Sequence, residues 1–171
     1  MRATEILKNE HEVIVSHLRS LRHILKNNEF EEIYTEIPHF FEFIKTYSDD
    51  FHHAKEENIY FKWMLKQNPG LEYGPIKCMI DEHKQFRELI DVALKSYESF
   101  AMTMSEKDKI CCCENLNKFI DQLLVHIEKE DNILYKIADS LDYEVSSGDD
   151  EMLSLFKQIQ MDYQDKIKKF L

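Results

Sequence analysis

FHHAKEENIYF, residues 51–61, occurs a second time in this chain as VHIEKEDNILY, residues 125–135. Both copies contain the pattern His-x-x-x-Glu, whose members are His52, Glu56, His126 and Glu130. Residues four apart on an α-helix lie one turn apart on nearly the same side, so each histidine points in the same direction as its glutamate. Each copy therefore predicts a helix that offers two adjoining metal ligands.

Two further histidines extend the repeat. NEHEVI around His11 resembles DEHKQF around His83, and each precedes its His-x-x-x-Glu copy by a similar distance. Both histidines interrupt an apolar stripe with helical spacing, which marks the buried side of a helix. The repeated unit is therefore one histidine followed by His-x-x-x-Glu. The candidate metal ligands are His11, His52, Glu56, His83, His126 and Glu130.

His53 and Glu57 directly follow the first histidine and the first glutamate of the pattern. Neighbouring residues on an α-helix differ by about 100° around the axis. We therefore expect His53 and Glu57 to face a flank of the helix and not the predicted site.

The composition favours an all-helical protein with a single domain. The chain has 171 residues, of which only three are glycine and three are proline, and it has long segments rich in Glu, Lys, Leu and Ile. No run of about 18 apolar residues is present, so no transmembrane helix is predicted. The net charge of -11 argues against a nucleic-acid partner, because such a protein needs a basic surface to neutralise phosphates.

The N-terminus and the cysteines favour a cytoplasmic location. Residues 1–14 form a charged amphipathic pattern and lack the apolar core of a signal peptide. The cysteines are Cys78 and a run at 111–113, without a Cys-x-x-Cys spacing. We interpret them as thiols in a reducing compartment and not as ligands of zinc or of an iron–sulfur cluster.

Apolar periodicity and helix-boundary signals predict five helices. Pro38 opens the second helix, Ser105 begins a capping box for the fourth, and the stretch 142–150 is the most loop-like. Short connections between long helices favour an all-α, antiparallel up-and-down four-helix bundle. We assign 1–171 to one domain, with the bundle at about 3–140 and an additional C-terminal helix at about 150–170.

The paired glutamates argue for bound metal. Burying two carboxylates without a cation would cost several kcal/mol each unless they were protonated or paired. The number of ligands suggests two ions, with Glu56 and Glu130 as bridges and two histidines on each ion. Imidazole and carboxylate ligands in a bundle core suit two iron ions with an oxo or hydroxo bridge, with zinc or manganese as substitutes.

Four stretches, EHEVI, FHHAKEENIYF, GPIKCMIDEHKQFRELI and LLVHIEKEDNILYKIAD, resemble the hemerythrin-like, HHE cation-binding proteins over nearly the whole chain. The resemblance implies a non-haem di-iron centre in a four-helix bundle. It implies dioxygen, peroxide or nitric oxide as small-molecule partners, because the family includes oxygen carriers, sensors and proteins that respond to these oxidants. Carried over by position, it implies the same six ligands.

Two departures from the oxygen-carrying hemerythrins bear on the site. Those proteins have a second histidine four residues after the one that matches His83, and here that position is Arg87. We therefore expect a more open centre without a fifth histidine. Those proteins also use an aspartate five residues after the last histidine, which matches Asp131, so Glu130 and Asp131 are alternatives for the bridging carboxylate.

Two functions follow as hypotheses. The first is a cytoplasmic di-iron protein that binds or reacts with dioxygen, peroxide or nitric oxide. The alternative is an iron, oxygen or redox sensor, or a metal-binding module, that acts through a partner protein without catalysis. The family also resembles iron–sulfur repair proteins, which carry an additional cysteine-bearing N-terminal segment. Because this chain begins almost at its first helix, we expect that role less.

Overall fold

Helices make up almost all of the described part of the chain. The computed structural model describes residues 2–27, 29–142 and 149–171, and no strand occurs among them. The all-α class predicted from the sequence is confirmed. The loop expected at 142–150 falls largely on residues 143–148, outside the described residues.

The described residues form five main helices. α1 spans Ala3–Lys26. α2 covers residues 37–67 as the consecutive segments Ile37–Phe43, Ile44–His53, Glu56–Tyr60 and Phe61–Gln67. α3 spans Lys77–Thr103, and α4 covers residues 106–142 as Glu106–Lys129, Glu130–Leu134 and Tyr135–Asp142. α5 spans Asp149–Ile167. Short helical turns lie at Phe30–Ile33, Tyr34–Glu36, Pro69–Leu71, Glu72–Ile76 and Lys168–Phe170.

The first four helices form the expected antiparallel up-and-down bundle, and α5 packs against α1 and α2. Only Met104 and Ser105 join α3 to α4, so the chain must reverse its direction there. Met104 ends α3 in the left-handed conformation, with φ at 49°. The Asp108 amide donates a hydrogen bond to the Ser105 hydroxyl at 3.2 Å, which is the predicted start of α4.

Two of the bundle helices contain wide, π-type turns. In such turns the backbone hydrogen bond reaches the fifth residue instead of the fourth, and single turns of this kind are frequent at functional sites. Wide turns begin at both repeated glutamates, in the segments Glu56–Tyr60 and Glu130–Leu134. Only the first copy of the repeat also has one across its histidine, in Ile44–His53. The two halves of the bundle therefore differ in local geometry.

The apolar core consists of two clusters at opposite ends of the bundle. The larger includes Leu18, Phe119 and Leu123, and the smaller includes Leu7 and Tyr135. α5 contributes to both ends, through Met152, Phe156 and Ile167. None of the helices in the described residues is both long enough and apolar enough to span a membrane.

Candidate metal centre

A layer of buried polar side chains lies between the two apolar clusters. Two groups of side chains in this layer have ligand atoms within 4.8 Å of one another. Group A consists of His11, His52, Glu56 and Glu130. Group B consists of His53, His83 and His126. All seven residues are at most 4% exposed, and they include all six residues that the repeat predicted.

The two glutamates join the groups. Glu130 Oε2 lies 3.3 Å from His11 Nε2 in group A, and Glu130 Oε1 lies 3.2 Å from His126 Nε2 in group B. Glu56 Oε2 lies 3.6 Å from the Nε2 atom of His52 and 3.6 Å from that of His83. Both carboxylates therefore stand between the groups, where bridging ligands of a two-ion centre would stand.

The expectation that His53 faces a flank was wrong. Its side chain is only 4% exposed, and its ring stacks on that of His83 with 4.0 Å between the centroids. His52 and His53 lie in the wide-turned segment Ile44–His53, and both side chains face the core. His53 therefore brings a fifth imidazole into the buried layer, where the sequence led us to expect four. The signal available in the sequence was the adjacent pair of histidines itself.

Four of the five imidazoles donate a hydrogen bond to a carboxylate on the side of the ring that faces away from the centre. The Nδ1 atoms of His11, His52, His83 and His126 donate at 2.8 to 3.0 Å to Asp131, Glu10, Glu57 and Glu82, respectively. An ionised carboxylate only accepts hydrogen bonds, so each of these Nδ1 atoms carries a proton and the Nε2 atom on the other side of the ring is directed at the centre. Outer carboxylates of this kind orient metal-binding histidines and increase their basicity.

The outer carboxylates follow the sequence repeat. Glu10 and Glu82 directly precede the single histidines of the two repeats. Each accepts a hydrogen bond from the histidine of the His-x-x-x-Glu pattern in its own repeat, which is His52 for Glu10 and His126 for Glu82. Glu57 and Asp131 directly follow the glutamate of that pattern. Each accepts a hydrogen bond from the single histidine of the other repeat, which is His83 for Glu57 and His11 for Asp131. Glu57 therefore lies at the edge of the layer, where the hydrogen bond from His83 fixes its carboxylate. Asp131 lies behind His11 and outside both groups, whereas Glu130 lies between them.

Arg87 supports the layer from outside. The guanidinium contacts Asp49 at 2.6 Å and Glu57 at 2.9 Å, and Asp49 Oδ1 lies 3.6 Å from His53 Nδ1. Burial disfavours the charge of Glu57, but hydrogen bonds from His83 and Arg87 lower the pKa of this carboxyl to about 2. Arg87 therefore stabilises the carboxylates that lie behind His53 and His83.

The central groups have strongly perturbed pKa values. Burial, together with the charge of Glu130, raises the pKa of Glu56 to about 8. Burial alone would also raise the pKa of Glu130, but the charge of His126 and contacts with His11 hold it well below its usual range. Burial disfavours the charged form of His11, yet its contacts with the Asp131 and Glu130 carboxylates raise its pKa to about 10.

The donor atoms fit a metal centre. None of His11 Nε2, His52 Nε2, Glu56 Oε2 or the two Glu130 oxygens has a hydrogen-bond partner among the described residues. A buried polar atom without a partner costs about 1–3 kcal/mol, and a cation would satisfy all five atoms at once. In group B, the Nε2 atoms of His83 and His126 are 3.0 Å apart. That is the separation of two ligands at right angles on one ion at about 2.1 Å.

A cavity of about 150 Å³ adjoins group B between α2, α3 and α4. His53 lines it together with the buried Ser48, whose hydroxyl has no partner among the described residues. The remaining wall is mainly apolar and consists of Phe41, Ile44, Phe86, Ile90, Leu94, Phe119 and Leu123, with Lys45, Asp49, Arg87 and Asp91 as charged members. The cavity therefore offers space for a small molecule beside group B.

A sequence profile of the hemerythrin HHE cation-binding domain matches residues 2–138, a range that contains every member of groups A and B. The chain belongs to this family. Its expected resemblance to hemerythrin-like proteins is thereby confirmed, and the histidine and glutamate layer is the part of this HHE domain that suits cations. No solved structure is significantly similar to the chain.

Curated relatives of this HHE protein are named iron-sulfur cluster repair proteins. The iron-sulfur cluster repair protein YtfE of Salmonella paratyphi B, that of Salmonella newport and that of Salmonella heidelberg are each 33% identical to it over 93 residues. The matched stretch covers 51% of this chain and 40% of each relative. The family and these relatives support a non-haem iron protein.

Proposed function

We propose that this HHE protein binds two iron ions in the buried layer and reacts with dioxygen, peroxide or nitric oxide there. The observation that carries the proposal is the pair of ligand groups joined by Glu56 and Glu130. Group A would hold one ion and group B the other, with the two glutamates as bridges. The bound pair would supply two-electron redox chemistry and open coordination positions for a small ligand.

The protein's own residues perform three tasks in this proposal. The outer carboxylates hold the Nδ1 protons of four histidines and direct their Nε2 atoms at the centre. The apolar clusters on both sides exclude water, which strengthens the electrostatic interactions inside. The Tyr135 hydroxyl donates a hydrogen bond to Glu56 Oε1, which holds that carboxylate in place.

The cavity beside His53 supports a small ligand on the side of group B. Its mainly apolar wall suits an uncharged diatomic molecule or peroxide, and the Ser48 hydroxyl is available as a hydrogen-bond donor. We accordingly assign ligand entry to this side of the centre. The four free cysteines agree with the reducing cytoplasm as the place of action.

Elemental analysis of protein loaded with iron tests the metal site. We expect two irons per chain in the wild type, with an ultraviolet charge-transfer band that disappears on reduction and returns in air. His53→Ala should retain about one iron, because group B loses one of its three ligands. The control is His23→Ala, which removes an exposed histidine and should retain both irons. Zinc alone, or one ion in the wild type, would overturn the proposal.

Stopped-flow mixing of the reduced, iron-loaded protein with each oxidant tests the reaction. A spectral change with dioxygen, peroxide or nitric oxide is expected, and the fastest reaction identifies the preferred ligand. The absence of any change with all three would leave a metal site without the proposed reactivity.

A sensor that acts through a partner is the second candidate. It is favoured by the contact of the C-terminal helix with the layer. Glu10 accepts hydrogen bonds from both His52 and Lys55. The Lys55 ammonium also lies near the Phe156 ring of α5. A change at His52 could therefore reach α5. Limited proteolysis of the metal-free and oxidised iron forms would distinguish this role, since identical digestion patterns would leave nothing to transmit.

A further inference from the structure

Three aromatic side chains lead from the buried layer to the protein surface. The Tyr135 ring stacks on His11 at 5.6 Å, and its hydroxyl donates to Glu56. Tyr60 follows at 5.8 Å from Tyr135, and Trp63 stacks on Tyr60 at 5.9 Å, all measured between ring centroids. Both tyrosines are fully buried, whereas Trp63 is 8% exposed.

The other half of the repeat lacks this arrangement. In the repeat, Phe61 occupies the position of Tyr135, and it lies against His83 at 6.0 Å as Tyr135 lies against His11. Phenylalanine has no hydroxyl, so no corresponding hydrogen bond reaches Glu130. Leu134 takes the place of Tyr60 in the same comparison. The aromatic series is therefore not required by the packing of the fold, because the equivalent space is filled by residues that cannot be oxidised easily.

The two ends of the series suit electron transfer. Tyrosine loses its phenolic proton when it is oxidised. The Tyr135 hydroxyl already donates a hydrogen bond to Glu56 Oε1, which is therefore placed to accept that proton. Tryptophan can be oxidised without an immediate proton acceptor, and the Trp63 indole nitrogen has no hydrogen-bond partner among the described residues. Trp63 also lines a surface depression of about 160 Å³ together with Lys62 and Lys66, which a small reductant can enter.

We propose that Tyr135, Tyr60 and Trp63 form an electron path between the metal centre and a one-electron reductant in solution. The functional part of this inference rests on the proposed redox centre. Contacts near 6 Å between ring centroids favour the path, because electron tunnelling falls off exponentially with distance and adjoining π systems shorten each step.

Each step along the path moves one electron, and the Tyr135 proton moves with it. When the centre holds a one-electron oxidant derived from peroxide or dioxygen, Tyr135 gives up one electron to it and its phenolic proton moves to Glu56 Oε1. Trp63 then supplies one electron to Tyr135 through the Tyr60 ring, and the proton returns from Glu56 to the phenolic oxygen. The oxidised indole takes one electron from the reductant, for which ascorbate serves as the probe.

Flash photolysis of the protein without redox-active metal tests the path directly. A photo-oxidised ruthenium complex in solution removes one electron from Trp63, which is the single tryptophan of the chain, so its radical absorption is unambiguous. We expect the tryptophanyl band to decay as a tyrosyl band rises. Tyr135→Phe and Tyr60→Phe should each abolish the tyrosyl band and leave the tryptophanyl band to persist.

The matched control is Tyr73→Phe, which alters a tyrosine that is 85% exposed and should leave the transfer unchanged. Tyr135→Phe should fold, because Phe61 shows that the equivalent position accepts phenylalanine. A tyrosyl band that survives in Tyr135→Phe, or that disappears in Tyr73→Phe, would overturn the path.

A second measurement connects the path with the centre. Iron-loaded protein treated with peroxide should give the electron paramagnetic resonance signal of a tyrosyl radical, and Tyr135→Phe should lack this signal. Ascorbate should remove the signal more slowly in Trp63→Phe than in wild type. If the protein does not load iron, the proposed function fails while the photochemical result still stands. If iron loads and the radical arises on a tyrosine other than Tyr135, the path fails while the proposed function stands.

Discussion

Glu130 connects the two ligand groups, because its two oxygens contact histidines of both groups. Asp131 is its neighbour in the sequence, but it lies behind His11 and is 31% exposed. Both are carboxylates in the second repeat, and their roles differ because neighbouring residues point in different directions from the axis of α4. Substitutions at these two positions should therefore give different results.

Replacing Glu130 by alanine should abolish binding of both ions, because the carboxylate between the groups is lost. Asp131→Asn should keep both ions and weaken the metal affinity by about 10–100-fold, the usual effect of removing an outer partner of a ligand. Elemental analysis and competition with a chromophoric chelator measure both quantities. If Asp131→Asn lost the ions and Glu130→Ala kept them, the bridging role would belong to Asp131.

Protons should compete with metal at this site. Below their raised pKa values, about 8 for Glu56 and about 10 for His11, both groups hold a proton in the metal-free protein. An ion must displace these protons, so the apparent affinity should rise with pH and fall toward acid, by about tenfold per unit for each proton displaced. Calorimetric titration with zinc in buffers of different ionisation enthalpy counts the protons released. Release of none would contradict the assignment.

Helix geometry explains the largest difference between expectation and structure. The residue beside an inward-facing histidine can also be buried in this bundle, as His53 is in the wide-turned part of α2. α4 is regular through His126, and the residue after it, Ile127, packs in the apolar cluster. One element thus contributes an additional imidazole to group B and the other does not.

α5 should stabilise the layer through Phe156. This side chain is 2% exposed, and Lys55, which pairs with Glu10, lies near its ring. Phe156→Ala should lower the free energy of unfolding by about 3–5 kcal/mol because it leaves a cavity beside that pair. Leu155→Ala alters a neighbour that is 47% exposed and should change it by less than about 0.5 kcal/mol. Urea denaturation measures both variants, and equal losses would contradict the proposed packing.

The whole molecule has a core that is divided by a layer of charges. Without a cation, that layer places polar atoms without partners between two apolar clusters, which opposes folding. Metal binding should therefore stabilise the native state over the unfolded one.

Adding zinc or iron at about 100 times its dissociation constant should raise the free energy of unfolding by about 2.7 kcal/mol. Differential scanning calorimetry before and after treatment with a chelator measures the change as a shift of Tm. Glu130→Ala serves as the control, because it should show no metal-dependent shift. An equal shift in that variant would place the bound metal elsewhere.

The sequence alone determined the fold class, the Ser105 cap at the start of α4 and the six residues of the repeat that lie together in the layer. These features depend on local rules, since apolar periodicity, caps and a four-residue spacing act within one helix. The single-domain assignment and the identity of the bound ions stay predictions.

Only the tertiary structure decided that His53 faces the core, that Glu57 and Asp131 hold histidines of the opposite repeat, and that Tyr135, Tyr60 and Trp63 adjoin. The physical reason is the same in each case. A wide turn and a contact between helices depend on how the helices pack together, and the periodicity of a single helix carries no information about its register against its neighbours.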